Sequence, residues 1–211
     1  MEAYTDFADV YDTFMDETPY EEWCEFLVQI LEEYKVPKGL VLDLGCGTGL
    51  ELQEYYQLNP SARVTGIDLS QGMLAELKRK LADKNITLIH GSYFDLPLGE
   101  CVFDAAVSVE SLHHFTKEEK APLYTKLHRA LKDGGYFILT DYFASSDEEE
   151  RLLRRNLSEL KAEQGITDDA FYHYDTPLTV KHESEALIEA GFSSVETLNN
   201  WGATYTIKAV K

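Results

Sequence analysis

Cysteine is scarce in this chain, and long apolar runs are absent. The three cysteines, Cys24, Cys46 and Cys101, are an odd number at unrelated spacings, so they predict neither a disulfide framework nor a zinc signature. No apolar run approaches the ~20 residues of a membrane-spanning helix. The first residues also lack the basic and apolar regions of a signal peptide. We therefore expect a cytoplasmic protein that does not enter a membrane.

The chain is also poor in positively charged residues. The chain has 19 Lys and Arg against 38 Asp and Glu, a net charge of −19, and eleven acidic residues precede the first basic one, Lys35. A nucleic-acid-binding protein needs cationic groups that displace phosphate counterions. Direct binding of nucleic acid is therefore not expected. A small-molecule partner is expected instead, and the sequence leaves a homodimer open.

Apolar runs alternate with helical patterns through most of the 211 residues. Strand-like runs interleaved with amphipathic runs are typical of βαβ units around a parallel sheet. The predicted strands are 40–44, 63–68, 86–90, 102–109 and 136–141, and the predicted helices are 4–15, 20–34, 50–58, 71–82, 117–131, 146–164 and 180–190.

The last strand-like runs, 195–198 and 203–209, are joined by Asn199–Gly202, whose Asn and Gly residues favour a hairpin turn. We therefore predict an α/β fold: a Rossmann-like, doubly wound, seven-stranded sheet with helices on both faces. The sheet is mostly parallel and ends in an antiparallel hairpin. One domain, 1–211, is expected because the chain contains no repeat or linker.

A glycine-rich loop, Asp43–Gly49, lies between the first strand and the following helix. Glycines allow a tight turn and a close approach of the backbone to a ligand, and the helix N-terminus favours an anionic group. The dinucleotide fingerprint requires glycines at the first, third and sixth positions. Here Gly45 and Gly47 are followed by Leu50, so hydride transfer with NAD is not predicted.

The Val41–Gly49 run resembles the first motif of the class I SAM-dependent methyltransferases, and the resemblance extends from about residue 4 to the C-terminus. It implies S-adenosyl-L-methionine (SAM) as cofactor and S-adenosyl-L-homocysteine as product. It also implies a helical cover at 1–35 and a helical insert over the active site at 144–178. The residues implied to hold the methionine part of SAM are Asp43, Gly45, Cys46, Gly47 and Gly49.

The same resemblance extends to the adenosine part of SAM. Asp68, nineteen residues after Gly49, matches the acid that accepts both ribose hydroxyls. Met73 is implied against the adenine, and Leu69 is implied as a further cofactor contact. The family often has Gly-Asp-Ala before Leu-Pro, whereas this chain departs from that pattern and has serine at the aspartate position. The third cofactor segment, the third part of the chain implied to contact SAM, is therefore Ser92, Tyr93 and Phe94.

In the N-terminal cover, Phe7–Asp12 looks like the family's Tyr-Asp entry motif. The cover closes over SAM in that family, so Tyr11 is implied as a cofactor contact. Its other aromatic residues are expected to pack on the sheet edge.

The fourth strand ends at Ser108–Phe115, where the reaction is expected. In the family the residue near Glu110 lies beside the sulfonium, so it is a candidate for both cofactor binding and catalysis. His113 is a candidate base because imidazole titrates near neutrality; the alternative is a structural histidine at a strand-to-helix turn. Tyr142 is the third candidate catalytic residue. No metal site is expected, since adjacent histidines such as His113 and His114 should point apart and no third ligand is evident.

The function implied by the resemblance is transfer of the SAM methyl group to an O, N or C atom of a small-molecule acceptor. Two alternatives stay open. The Ala190–Phe192 run and the hairpin around Trp201 look similar to the carboxy-SAM synthases of tRNA modification. The insert segment 168–179 contains no Lys or Arg for their extra carboxylate, which counts against that activity. A non-catalytic SAM-binding sensor is the other alternative, since the cofactor motifs encode binding rather than chemistry.

Overall fold

A computed structural model describes residues 20–33, 39–167 and 172–211 of the chain. These residues form six helices and seven strands. The helices are α1 (Tyr20–Glu33), α2 (Leu50–Leu58), α3 (Gln71–Lys80), α4 (Lys117–Ala130), α5 (Asp147–Gln164) and α6 (Val180–Glu189), and the strands are β1 (Leu40–Leu44), β2 (Arg63–Asp68), β3 (Ile86–His90), β4 (Phe103–Val109), β5 (Leu131–Tyr142), β6 (Ser194–Trp201) and β7 (Thr204–Val210).

The seven strands form one sheet in the order β3-β2-β1-β4-β5-β7-β6. All neighbouring pairs from β3 to β5 are parallel, whereas β7 runs antiparallel to both β5 and β6. The Rossmann-like fold predicted from the alternation of patterns is confirmed. The chain order reverses between β1 and β4, and ligands of doubly wound sheets bind outside the carboxyl ends of the strands at such a point.

Helices cover both faces of the sheet because neighbouring residues of its central strands point to opposite sides. Val41 of β1 and Val107 of β4 pack into a core with α1, α2 and α3. Leu42 and Ala106, the adjacent residues, pack into a second core with α4 and α6. Both cores therefore hold the carboxyl edge of β1 and β4 rigidly in place.

Side-chain caps fix where several helices begin. Ser70 accepts a hydrogen bond from the Met73 N–H at the start of α3, and Ser146 accepts one from the Glu149 N–H at the start of α5. Thr116 forms a capping box with Glu119 at the start of α4. Because α3 and α4 follow the ends of β2 and β4 within a few residues, these caps also fix the loops that line the site.

The predicted hairpin turn was placed too early. The residues Asn199–Trp201, predicted as turn, continue β6 through a register shift after Thr197, and the turn follows at Gly202. The Trp201 ring lies 6.4 Å from that of Trp23 and 5.5 Å from that of Phe26 in α1 (centroid distances). Packing against α1, which the local turn preference does not encode, extends the strand.

The fifth strand is also longer than predicted. It begins at Leu131, pairs with Phe103, and shifts register before Ala105 pairs with Tyr136. Gly134 sits in this irregular stretch with φ +75°, where L side chains are strained. Residues 132–135, which lie between the predicted helix and the predicted strand, form an irregular start of β5.

The insert after β5 consists of α5 and an extended return segment, 172–179. The return is tied to the end of β5, since the Ala144 N–H donates to Leu178 O at 3.0 Å and Ala144 bridges to Thr179. The helix predicted at 4–15 lies outside the described residues. None of the described helices has the length and apolar composition needed to cross a membrane, and the cytoplasmic location stays a prediction.

Candidate functional site

The glycine loop after β1 is tied to the neighbouring strand. The N–H groups of Gly45 and Cys46 both donate to Ile67 O of β2, at 2.8 and 3.1 Å. Gly45 has φ +76°, and a Cβ built on it would lie 2.2 Å from Ser111 Oγ, beyond the end of β4. Glycine is required here on both counts, because the left-handed backbone strains other residues and there is no room for a side chain.

Asp68, the predicted ribose partner, closes the loop from the other side. Its Oδ2 accepts a hydrogen bond from the Gly47 N–H at 2.9 Å, and its Oδ1 accepts one from the Ser70 N–H at 2.7 Å. Burial raises the pKa of Asp68 above its ordinary value. The two hydrogen bonds act in the opposite direction but are weaker than the effect of burial. Each carboxylate oxygen can accept a further bond, so the ribose assignment is compatible with the geometry.

Asp43 lies beneath the loop and is 1% exposed, so it is not part of the cleft surface. Burial and the neighbouring Glu51 raise the pKa of Asp43 well above its ordinary value, and the two carboxyl groups are hydrogen-bonded. Glu51 lines the cleft. A cationic group bound beside Glu51 would favour the ionised form of this pair. The amino group of the methionine part of SAM is such a cation.

Two adjoining clefts, of about 580 and 590 Å³, contain most of the predicted cofactor residues. They share a boundary formed by Gly45, Asp68, Ser111 and His114, so they are parts of one groove across the carboxyl edge of the sheet. The predicted residues in the first cleft are Gly45, Cys46, Gly47, Gly49, Asp68, Met73 and Glu110, and the second cleft adds Leu69, Ser92, Tyr93 and Phe94.

Besides Asp43, two predicted site residues among those that the structure describes are not on these surfaces. Tyr11 lies outside the described residues. His113 and Tyr142 line neither cleft. His113 Nδ1 lies 3.7 Å from Glu110 Oε2, and the Tyr142 ring lies 6.3 Å from the His113 ring between centroids. The role predicted for each individual residue stays a prediction.

A lysine that the sequence interpretation missed supports the second cleft. Lys126 of α4 donates from Nζ to the carbonyl oxygens of Tyr93, Phe94 and Leu96 at 2.6, 2.8 and 2.8 Å. The Ser92 hydroxyl is also engaged within this loop, accepting from the Phe94 N–H at 3.2 Å. Lys126 therefore fixes the backbone of the third cofactor segment.

Glu110 stands at the end of β4 in a left-handed conformation, with φ +46°. Such a conformation is uncommon for a non-glycine residue and occurs often at functional sites. Its Oε1 accepts a hydrogen bond from Thr204 Oγ1 at 3.3 Å. Burial, with the charge of Asp141 as the next cause, raises the pKa of Glu110 to about 8.

His113, the predicted base, is held by a buried carboxylate. Its Nδ1 lies 2.5 Å from Asp141 Oδ1 and 3.7 Å from Glu110 Oε2. Asp141 also accepts the N–H groups of Leu112 and Tyr142, at 2.8 and 2.9 Å. Burial disfavours the charged form of His113. The negative charge of Asp141 and its contact with the ring outweigh this effect and raise the pKa of His113. The same contact, against the effect of burial, lowers the pKa of Asp141.

The two adjacent histidines do not point apart, so the reason for expecting no metal site was wrong. Their ring centroids are 4.0 Å apart. Both rings face Asp175 from the insert, with His113 Nε2 at 3.6 Å and His114 Nδ1 at 3.0 Å from its Oδ1. The turn after β4 folds the rings to the same side, and the return segment supplies a third group that the local sequence does not reveal.

A family described as "Methyltransferase domain" matches residues 41–135, from β1 into β5. The carboxy-S-adenosyl-L-methionine synthase of Wolinella succinogenes is 33% identical over 184 residues, which are 77% of this chain and 72% of that protein. The chain belongs to the class I SAM-dependent methyltransferases. The resemblance found in the motifs is thereby confirmed, and SAM is the cofactor of this family member.

Other relatives carry different printed activities. The demethylmenaquinone methyltransferase of Symbiobacterium thermophilum is 32% identical over 146 residues, 65% of this chain and 56% of that protein. A SAM-dependent methyltransferase of Methanosarcina mazei has the same fold, with a TM-score of 0.65, 20% identity and coverage of 86% of this chain and 96% of that one. Human N-acetylserotonin methyltransferase, solved with SAM, has a TM-score of 0.62, 19% identity, and coverage of 90% and 55%. The chain thus spans little more than half of two of these proteins.

Proposed function

We propose that this family member transfers the methyl group of SAM to an O, N or C atom of a small-molecule acceptor by in-line displacement. The observation that carries the proposal is the continuity of the groove. It runs from the glycine loop past Asp68 to Glu110 and His114, so an acceptor beside Glu110 would approach the methyl end of SAM. In-line displacement mainly requires this alignment and the exclusion of water.

The charges at the acceptor end favour a neutral or cationic acceptor. Glu110, Asp141 and Asp175 surround His113 there. Glu110, with a pKa of about 8, carries little charge near pH 7, but an anion placed beside the ionised Asp141 and Asp175 is electrostatically disfavoured. We propose no nucleic-acid acceptor, because the net charge of −19 also opposes a polyanion.

The experiment is a methyl-transfer assay with methyl-labelled SAM and a panel of phenols, amines and carbon nucleophiles, read out as labelled product and S-adenosylhomocysteine. We expect turnover with at least one neutral or cationic class. Asp68→Asn should lower turnover, whereas Asp83→Asn, a change at an exposed residue of the same type, should not. SAM binding without any methylated product across the panel would contradict the proposal and leave a sensor role as the better reading.

A carboxy-SAM synthase-like reaction is the second candidate, and a specific observation favours it beyond the similarity to the Wolinella protein. The insert segment 168–179 has no Lys or Arg, but α5 brings Arg154 and Lys161 to a cavity that also includes His114. Arg154, which also pairs with Glu118, and Lys161 are the two cations to test. Incubation of SAM with a panel of small carboxylic acids as carboxyl donors distinguishes the candidates, since this reaction yields a carboxylated SAM and no methylated acceptor.

A further inference from the structure

We infer that His113, His114 and Asp175 form a binding site for a divalent transition-metal ion at the acceptor end of the groove. The ligand atoms of these three residues all lie within 4.8 Å of one another. Two imidazoles and one carboxylate are a ligand set that binds zinc and similar ions, with positions left open for water or substrate.

The separations fit a common ion. Ligands at the usual 2.0–2.1 Å from tetrahedral zinc are about 3.3 Å from each other. Asp175 Oδ1 lies 3.0 Å from His114 Nδ1 and 3.6 Å from His113 Nε2, on either side of that value. The two histidine nitrogens lie within 4.8 Å of each other, so an ion that binds all three groups would fix the rings at a separation near that of its other ligands.

The second carboxylate, Asp141, orients the first ligand. A metal-binding histidine usually donates its other ring N–H to a carboxylate, which fixes the tautomer and the ring plane. His113 Nδ1 lies 2.5 Å from Asp141 Oδ1, so in the neutral ring the lone pair is on Nε2. Nε2 is the atom that faces Asp175.

The buried Nδ1 atom of His114 lacks a well-formed hydrogen bond, and an ion would give it a partner. His114 Nδ1 is buried and makes no hydrogen bond of normal geometry, although Asp175 Oδ1 is only 3.0 Å away. A short contact between a ring nitrogen and a carboxylate oxygen with poor hydrogen-bond geometry fits two ligands of one ion. A buried unsatisfied polar atom is rare and calls for such an explanation.

The third ligand is held in place by the backbone. The Thr176 N–H, next to Asp175, donates to His113 O at 2.8 Å, and Thr179 bridges to Ala144 at the end of β5. Asp175 is therefore fixed to the same turn that carries both histidines. A metal site assembled in advance loses less conformational entropy on binding.

An ion at this place has a consequence for the proposed function. The Nε2 lone pair of His113 can accept a proton or bind a metal, so metal occupancy and a role of His113 as base exclude each other. If His113 is the base, the ion inhibits methyl transfer. This consequence depends on the proposed function, but the binding of the ion does not.

The test uses tag-free full-length protein, stripped with a chelator and titrated with Co²⁺ in the absence of SAM and acceptor, with visible absorption and equilibrium dialysis as readouts. We expect one saturable site, displaced by Zn²⁺ and not by Mg²⁺, which prefers oxygen ligands. His114→Ala and Asp175→Asn should each lose the Co²⁺ absorption bands. Asp141→Asn should weaken binding by about 10–100-fold, as expected for a carboxylate that orients a ligand.

His182→Ala is the matched control, because that histidine is also paired with a carboxylate, Glu150, at 2.8 Å, yet is not one of the proposed ligands. It should bind Co²⁺ like the unmodified chain. Circular dichroism and thermal unfolding check that each variant is folded. No saturable Co²⁺ binding, or full binding by folded His114→Ala and Asp175→Asn variants, would overturn the inference whatever reaction the protein performs.

Discussion

Glu51 faces Asp43 beneath the glycine loop, where the two carboxyl groups are buried and hydrogen-bonded to each other. Two buried carboxyl groups in contact do not both ionise readily, so their pKa values describe the pair and not either residue alone. Such a pair couples the protonation of the protein to the binding of a cation beside it.

The first prediction follows from this coupling. We predict that the cationic amino group of SAM binds beside this pair and lowers its pKa, so binding should release protons and affinity should rise with pH through the raised pKa. Calorimetry in buffers of different ionisation enthalpy measures the release. In Glu51→Gln the release should become smaller. A binding heat that does not depend on the buffer would contradict this account.

The second prediction concerns Asp68. Asp68→Ala removes the predicted ribose partner and leaves the Gly47 and Ser70 N–H groups without their acceptor. We expect SAM and S-adenosylhomocysteine to bind more weakly by about 1–3 kcal/mol each, since the ribose is common to both. Calorimetric titration of both ligands checks this, with Asp83→Ala as the exposed control. Equal affinity in both variants would remove Asp68 from the ribose site.

A third prediction separates two reasons for glycine. Gly45 and Gly165 both have left-handed backbones, with φ +76° and +66°, but a Cβ on Gly45 meets Ser111 Oγ at 2.2 Å, whereas one on Gly165 meets nothing within 4 Å. Gly165→Ala should cost about 1–2 kcal/mol of unfolding free energy. Gly45→Ala should cost more, by roughly another 1–3 kcal/mol.

Denaturant unfolding measures both glycine variants. The second substitution Ser111→Gly should restore part of the stability of Gly45→Ala, because it removes the atoms that the new Cβ meets. Equal losses in the two alanine variants would show that the loop shifts to accommodate the side chain.

The fourth prediction tests Lys126, which supports the third cofactor segment, Ser92–Phe94. Lys126→Met removes the donor shared by three loop carbonyls, so the loop should loosen and SAM affinity should fall by about 3–10-fold, or roughly 1 kcal/mol. Lys132→Met is the control, since Lys132 pairs with Asp104 instead. Fluorescence or calorimetric titration checks the difference. An unchanged SAM affinity would mean that the loop keeps its shape without Lys126.

The cofactor half of the site was accessible from the sequence because it is local. The glycine loop and Asp68 each follow a strand directly, and consecutive parallel strands bring their ends to one edge of a sheet. The groove accordingly contains Gly45, Gly47 and Asp68. Glu51 carried a weak signal, an acid in the first turn of α2, but the sequence did not indicate that it turns inward toward Asp43.

The acceptor half could not be read from the sequence, because its contacts join distant segments. His113 meets Asp141 of β5, 28 positions away, and one signal for that contact was available, since β5 neighbours β4 in a doubly wound sheet. Asp175 reaches both histidines only because the return segment of the insert is tied to the end of β5.

Sequence by itself determined the fold, the family and the cofactor, since hydrophobic periodicity and the glycine loop are properties of neighbouring residues. Tertiary structure decided the protonation partners, the orientation of His113 and His114 toward Asp175, the support of the loop 92–96 by Lys126 and the true end of β6. Each of these depends on burial and on contacts across the sheet, whose energies outweigh local preferences and leave no periodic trace in the chain.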